Sequence, residues 1–407
     1  MKILFIHQNF PGQFKNLAPE LCLLGHEVTA LVPAKTETKT WKGVKIVKYT
    51  ITRANTPNIH RLVLDHESKV IRGEACLTRA IDMRNSGYYP DVIIAHPGWG
   101  ESLFLKEVWP SSKLKLFCEF FYHSSDYDYN FDPEFAKTSP LDAGRVQLKN
   151  ANLLLQLENA HTAITPTAWQ LSTFPKYLQS KFSVIHDGIN TEIARPDVEA
   201  EFTVKDGPKL SRQDEVITFV NRSLEPYRGF HIFMRSLIGI LKTRPNTKVI
   251  IVGSDDVSYG EKPPGGGTWV EIMKSEVFPS LHENDRSRVY FVGALPYSQF
   301  ISLLQISTVH IYLTYPFVLS WSLLEAMSAG CAIIGSDTPP VQEVIKDGDT
   351  GILVGFFDIE GLVSHVNSLL DNPVMQKALS ERARALVKER YDLKRICLPM
   401  QVAWLLA

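Results

Sequence analysis

The sequence predicts an α/β protein made of two doubly wound, Rossmann-like domains, each built on a parallel sheet. Three observations lead there. Short β-branched, apolar runs recur along the chain, helical patterns separate them, and one central stretch breaks the alternation. At 407 residues the chain exceeds one ordinary domain and suits two of roughly 150–200 residues.

In the first half the runs are Ile3–Ile6, Val28–Val32, Val92–Ala95, Leu114–Phe117, Ala163–Thr165 and Phe182–Ile185. In the second they are Val216–Val220, Lys248–Val252, Val289–Val292, Val309–Leu313 and Ala332–Gly335. Continuous apolar strands require cover on both faces, which helices flanking a parallel sheet provide. After Val216–Val220, Phe230, Phe233, Leu237 and Leu241 fall on one helical face. The break, Arg195 to Gln213, holds Pro196, Pro208 and several charges with little periodicity, and reads as a linker. The expected domains are therefore residues 1–195 and 214–390, facing an interdomain cleft. Residues 391–407 form a C-terminal helix for which the sequence sets no packing, a return to the first domain being one option. Ligands of such sheets bind at the carboxyl ends of the strands.

Composition narrows the class. Hydrophobic residues are 44% and charged residues 21%, the balance of a soluble globular protein. A net charge of -1 gives no broad attraction for nucleic acid. Cys22, Cys76, Cys118, Cys331 and Cys397 form no Cys-x-x-Cys pair, so buried thiols in a reducing cytosol are expected rather than disulfides or structural zinc. The apolar run after Met1 stops at His7, short of a secretory core, and reads as a first strand. No stretch approaches the roughly 18–20 apolar residues of a membrane span.

Three segments carry chemistry. In Tyr315–Gly330, Ser320 is a helix N-cap and Gly330 a C-terminal stop, directly after the strand Val309–Leu313. Such a helix start is an anion site by geometry and dipole. Glu325, in an otherwise apolar helix, either faces the ligand cleft or is an ordinary solvated charge. In Phe219–Gly229, Arg222 and Arg228 flank a proline turn at a strand end, where guanidinium groups suit phosphate; surface salt bridging is the alternative. In the turn His7–Phe14, Gly12 lets backbone approach a ligand closely or merely makes a tight turn. No G-x-G-x-x-G follows, which argues against a dinucleotide oxidoreductase. The loop Pro263–Gly267 reads as a mobile connection.

GHEVTALVP (25–33), VIHDGINTEIARP (184–196), NRSLEPYRG (221–229), KVIIVGSDD (248–256), VYFVGALPYSQF (289–300), LLEAMSAG (323–330) and SDTPPVQEVIKDGDTGILV (336–354) occur in one order over nearly the whole chain. They resemble the retaining, GT-B-fold glycosyltransferases of group 1, or family 4. HQNFPGQF and the EFFYH…FDPEF stretch resemble a bacterial branch of exopolysaccharide synthesis. The resemblance implies transfer of a hexosyl group from a UDP- or GDP-linked sugar to a glycan, lipid-linked or other acceptor, with retention. It implies a cytoplasmic protein, with peripheral contact at the inner membrane face left open.

By the same resemblance Arg222 and Arg228 bind the donor diphosphate, and Glu325 bonds the ribose hydroxyls. Backbone around Ser320 and Trp321 lies near the diphosphate, the loop Val292, Gly293 to Leu295 near the base, and Gly12 near the phosphate or sugar. A histidine expected near the donor sugar has candidates in His96 and His123, with Glu119 an alternative polar group. Asp126 and Asp128 read as loop polarity, and no obligatory metal or other cofactor is expected. One departure stands out: eight positions before Glu325, where the family carries a second glutamate, this chain has Phe317. That departure favours an alternative, a catalytically silent nucleotide-sugar-binding subunit of a glycan-synthesis complex.

Overall fold

A computed structural model describes residues 1–35, 38–137 and 139–407. The chain divides into two compact units, Met1–Asp187 with Cys397–Ala407, and Gly188–Ile396.

The first unit is built on β1 (Lys2–Ile6), β2 (Glu27–Pro33), β3 (Thr40–Trp41), β4 (Val44–Tyr49), β5 (Val92–Ala95), β6 (Lys113–Phe117), β7 (Thr162–Thr165) and β8 (Phe182–Val184). Their order in the sheet is β3-β4-β2-β1-β5-β6-β7-β8. All neighbours are parallel except β3 against β4. β1 lies between β2 and β5, so the chain winds away from it in two directions. The crevice beyond the carboxyl ends of β1 and β5 is the ligand position of such a sheet. Alternate residues of each strand feed two cores. Leu4, Ile6, Ile93 and Leu116 enter one, Ile3, Phe5, Ile94 and Phe117 the other.

The C-terminal helix Leu398–Leu406 adds Trp404 and Leu405 to the second of these cores. Its carbonyl end meets two cations of β6. Lys115 Nζ donates to the Trp404 carbonyl and Lys113 Nζ to that of Ala407, satisfying groups that a helix end leaves unpaired.

The second unit holds β11 (Val216–Ser223), β12 (Lys248–Ser254), β13 (Val289–Gly293), β14 (Val309–Tyr312), β15 (Ala332–Ser336) and β16 (Ile352–Val354). The sheet is wholly parallel, in the order β13-β12-β11-β14-β15-β16, and β11 occupies the pivot between β12 and β14.

The stretch expected as a linker is folded instead. Arg195 to Gln213 carries an antiparallel hairpin of β9 (Glu201–Thr203) and β10 (Lys209–Ser211), with Leu210 opposite Phe202. Phe202, Val204 and Leu210 are buried in the core of the second unit. Each strand offers only one inward apolar residue among charges, too little for a periodic pattern. β4 also escaped the sequence reading, because Lys45 and Lys48 interrupt its apolar positions. All five cysteines are free thiols, four of them buried. Among the described residues no helix is long and apolar enough to cross a membrane.

Candidate functional site

In the first unit, β1 and β5 are each followed at once by a histidine, His7 and His96, and β6 is followed two residues on by Glu119. The sheet order sets the histidines side by side, with ring centroids 5.5 Å apart and Trp99 packed against both, at 4.9 and 4.5 Å. A polar chain joins them. His7 Nε2 is 2.7 Å from Gln13 Oε1, Gln13 Nε2 donates to Glu119 Oε1 (2.7 Å), and His96 Nε2 lies 3.3 Å from Glu119 Oε2. Burial and the neighbouring His96 push His7 down to about 4, so it is neutral near pH 7. Burial alone would raise Glu119, but His96 and Gln13 outweigh it and hold the carboxyl below its ordinary range.

Gly12 serves this cluster differently from the sequence expectation. With φ +47, it sits so close to the His7 ring that an added Cβ would fall 2.3 Å from His7 Cε1. The close approach is to a side chain of the protein itself. His123 takes no part in the chain. It is 2.7 Å from the Thr173 carbonyl through Nε2 and stacks on Tyr127 at 4.1 Å, which ties it into the wall of its own loop. Asp126, with φ +64, accepts from the neighbouring Ser125 hydroxyl (3.0 Å), in keeping with loop polarity.

The pivot of the second unit is cationic and aromatic. Arg222 lies exposed near the end of β11, and its guanidinium has no partner among the described residues. Arg228 is buried. Its Nη1 donates to Thr314 Oγ1 (2.8 Å), the Val318 carbonyl (3.0 Å) and Tyr312 Oη (3.4 Å). Burial opposes its charge, yet the hydroxyls of Tyr312, Tyr259 and Tyr227 outweigh burial and hold the guanidinium above its ordinary value. Its Cζ lies over the Tyr259 and Phe317 rings, 5.1 and 5.7 Å from their centroids.

Phe317 is thus part of a cluster of rings rather than a loose replacement for a carboxylate. It packs edge-on to Tyr227 (5.1 Å) and against Tyr259 (5.0 Å). Glu225, fully buried beside the same turn, accepts from the N–H groups of Ser258 (3.3 Å), Tyr259 (3.1 Å) and Gly260 (2.9 Å), which holds Tyr259 in place.

Beyond this cluster begins the helix Trp321–Ala329, capped as its sequence predicts. Ser320 Oγ accepts from the Ser322 N–H (3.3 Å), and Gly330 ends the helix. The Ser320 N–H donates to Tyr312 Oη (2.9 Å), the hydroxyl that Arg228 also reaches, so Arg228 and the helix start share one anchor. Glu325 is buried on this helix and hydrogen-bonded to the Tyr297 hydroxyl. Tyr297 opens the helix Tyr297–Ile306 directly after β13 and the turn containing Gly293 and Leu295. Val292 and Leu295 pack on the core of the unit, while space beside Gly293 is open. The fold therefore connects the expected base loop to Glu325 through Tyr297. His7, Gln13 and Tyr297 were missed in the sequence. Position was the available signal for His7, the first residue past an apolar strand.

The sheets, helix starts and strand-end groups are those of the GT-B glycosyltransferase fold. Two solved structures align along the whole chain. Sucrose-phosphate synthase from Thermosynechococcus elongatus has a TM-score of 0.72 and 16% identity, over 99% of this chain and 98% of that one. Anabaena HepE in complex with UDP-glucose has a TM-score of 0.64 and 16% identity, over 100% and 99%. Residues 24–194 match the description Glycosyl transferase family 4 group, and residues 202–386 match Glycosyl transferases group 1. The chain belongs to the group 1 / family 4 glycosyltransferases. Among curated relatives, N-acetyl-alpha-D-glucosaminyl L-malate synthase of Bacillus anthracis is 31% identical over 154 residues, 38% of this chain and 36% of that protein. The matched stretches span 36% to 45% of the length of three such curated relatives.

Proposed function

We propose that this chain transfers a hexosyl group from a nucleoside-diphosphate sugar to a hydroxyl of a glycan or lipid-linked acceptor, with retention at the anomeric carbon. One observation carries the reading: an exposed, unpaired Arg222, a capped helix start at Ser320 and the Glu325–Tyr297 pair all belong to the carboxyl-end side of one parallel sheet. Arg222 and the N–H groups around Ser320 and Trp321 take the diphosphate. Arg228 adds a fixed charge beside the helix start. Glu325 accepts from the ribose hydroxyls, and the turn Val292–Leu295 borders the base. Gly12, His96, His123 and Glu119 are the first unit's candidates for the sugar or acceptor side. As the bond to the anomeric carbon breaks, negative charge grows on the departing phosphate oxygen, and the guanidinium groups stabilise it without requiring a metal. UDP is the favoured nucleotide, since a structure of the same fold holds UDP-glucose. The reading places the chain in the cytoplasm, at the inner membrane face when the acceptor is lipid-linked.

One observation favours a second reading, a nucleotide-sugar-binding subunit without turnover: the buried, apolar ring of Phe317 has its centroid 5.7 Å from the Arg228 guanidinium carbon, and no carboxylate stands at that position. A thermal-shift panel of nucleoside diphosphates and their sugars, followed by radiolabelled-donor hydrolysis, tests both. A ligand at 100 times its Kd adds about 2.7 kcal/mol to stability. Absence of any shift from UDP, GDP and their sugars sinks both readings. A shift without hydrolysis or transfer selects the second.

A further inference from the structure

We propose that His7 and Gln13 are positioning residues that fix the Glu119 carboxylate as a permanent acceptor for a hydroxyl of the carbohydrate ligand on the first unit. The ligand's class rests on the proposed glycosyl transfer; the positioning does not.

The direction of every hydrogen bond in the chain is set at its two outer ends. The Asn9 N–H donates to His7 Nδ1 (2.9 Å), so the proton of the neutral ring sits on Nε2 and is given to Gln13 Oε1 (2.7 Å). With its oxygen so occupied, Gln13 must turn its NH2 to Glu119 Oε1 (2.7 Å). On the other side the Gly98 N–H donates to His96 Nδ1 (3.2 Å), which leaves the Nε2 proton facing Glu119 Oε2 at 3.3 Å. The main-chain oxygen of Glu119 is held as well, by Gln170 Nε2 (2.6 Å). Flipping the Gln13 amide would set donor against donor at His7 and acceptor against acceptor at Glu119. The amide therefore has one stable orientation.

Gln13 takes one carboxylate position, His96 Nε2 stands 3.3 Å from the other oxygen, and the side chain remains 31% exposed. An ionised carboxylate has about four acceptor sites, so part of its capacity faces outward. The titratable groups around it are His7, His96 and the buried Cys118 thiol, which burial keeps protonated; Glu101, its carboxyl raised by burial, acts on the cluster only through His96. The negative charge of Glu119, which neutral His7 does not cancel, repels phosphate and suits an uncharged polyol. Held below the ordinary range, Glu119 is a weak proton acceptor near neutral pH but an unchanging hydrogen-bond acceptor. That separates a hydroxyl anchor from a general base.

The test uses the full chain labelled with carboxyl-13C glutamate, in which Glu119→Gln identifies the resonance. In the wild type it should titrate below the ordinary glutamate range. In Gln13→Met it should titrate at higher pH, because the amide no longer favours the ionised form. Gln13→Asn, too short to bridge His7 and Glu119, should behave alike and serves if the first variant folds poorly. With the sugar nucleotide as substrate, either variant should raise KM by roughly tenfold, somewhat less than outright loss of a hydrogen bond to a charged group because Glu119 itself remains, with little change in kcat. A wild-type resonance at or above the ordinary range overturns the proposal, as does an unchanged titration in a folded variant. A shifted titration with unchanged KM removes the ligand role. A shifted titration in a protein that turns over no sugar nucleotide leaves the positioning intact and sinks the transfer reading instead.

Discussion

In the first unit the groups just past β1, β5 and β6 are two imidazoles and a carboxylate, joined by Gln13. In the second, the groups at the ends of β11 and β14 are guanidiniums, hydroxyls and aromatic rings. Both sets occupy the same topological place, where the chain winds off in opposite directions from one central strand. The sheet supplies the crevice, and the residues immediately following the strands decide its charge. The difference also shows two ways of keeping an ion in a partly buried site. The Glu119 carboxylate accepts from Gln13, lies beside His96 and stays partly exposed. Arg228 is covered, commits Nη1 to neutral oxygens of its own unit, and sits over the faces of two aromatic rings.

The largest expected effect separates the two arginines. Arg222→Ala should lower donor turnover about 100-fold, as for removal of one donor to a developing oxyanion, while leaving Tm unchanged because its guanidinium has no partner to lose. Arg228→Met strands Thr314, the Val318 carbonyl and Tyr312. It should cost about 1–3 kcal/mol of stability, or very roughly 2–4 °C of Tm per kcal/mol. Kinetics and thermal melts of the two variants decide it. If Arg222→Ala melts early and Arg228→Met does not, their roles are exchanged.

A smaller contrast concerns two glycines. Gly229, with φ +69, would put an added Cβ 2.3 Å from Leu313 Cβ, an atom fixed to the backbone. Gly12 would press on the His7 ring, the end of a side chain. Gly229→Ala should therefore destabilise by about 2 kcal/mol or more, from the left-handed backbone cost and the contact together. Gly12→Ala, at φ +47, carries a similar backbone cost, but it should relax the contact by displacing His7, lose less stability and show itself in ligand affinity. Denaturant melts of both, beside binding of a sugar nucleotide, test the pair, and equal losses of stability would mean that His7 cannot yield.

How far such features could be read in advance depended on whether they were local. The strand Ile3–Ile6 was legible because covering both faces demands unbroken apolar sequence. The helix from Trp321 was legible because Ser320 and Gly330 satisfy its ends locally. The hairpin at Phe202 and Leu210 was not, since its apolar partners come from elsewhere in the second unit. Among candidate site residues, Arg222 was visible by its position at a strand end. Gln13 did not, because what gives it meaning is Glu119, 106 residues away. Phe317 looked like a lost carboxylate, whereas the rings of Tyr227 and Tyr259 that receive it come from two other loops.

The smallest effect sharpens the division of labour between the units. Burial and the charge of Glu325 raise the Tyr297 hydroxyl above its ordinary value, so it remains a protonated donor to Glu325. Tyr297 is 46% exposed, and losing this one bond should cost little stability. Tyr297→Phe should weaken binding by about 0.5–1.5 kcal/mol, or roughly 2- to 13-fold. Because the proposed partner of Glu325 is the ribose, the loss should be equal for a nucleoside diphosphate and its sugar-bearing form. Gln13→Met should behave oppositely, sparing the bare nucleotide and weakening the sugar nucleotide. Calorimetric titration of both ligands into both variants gives four affinities. If Tyr297→Phe affects only the sugar-bearing ligand, Glu325 faces the sugar, and the division between the two units falls.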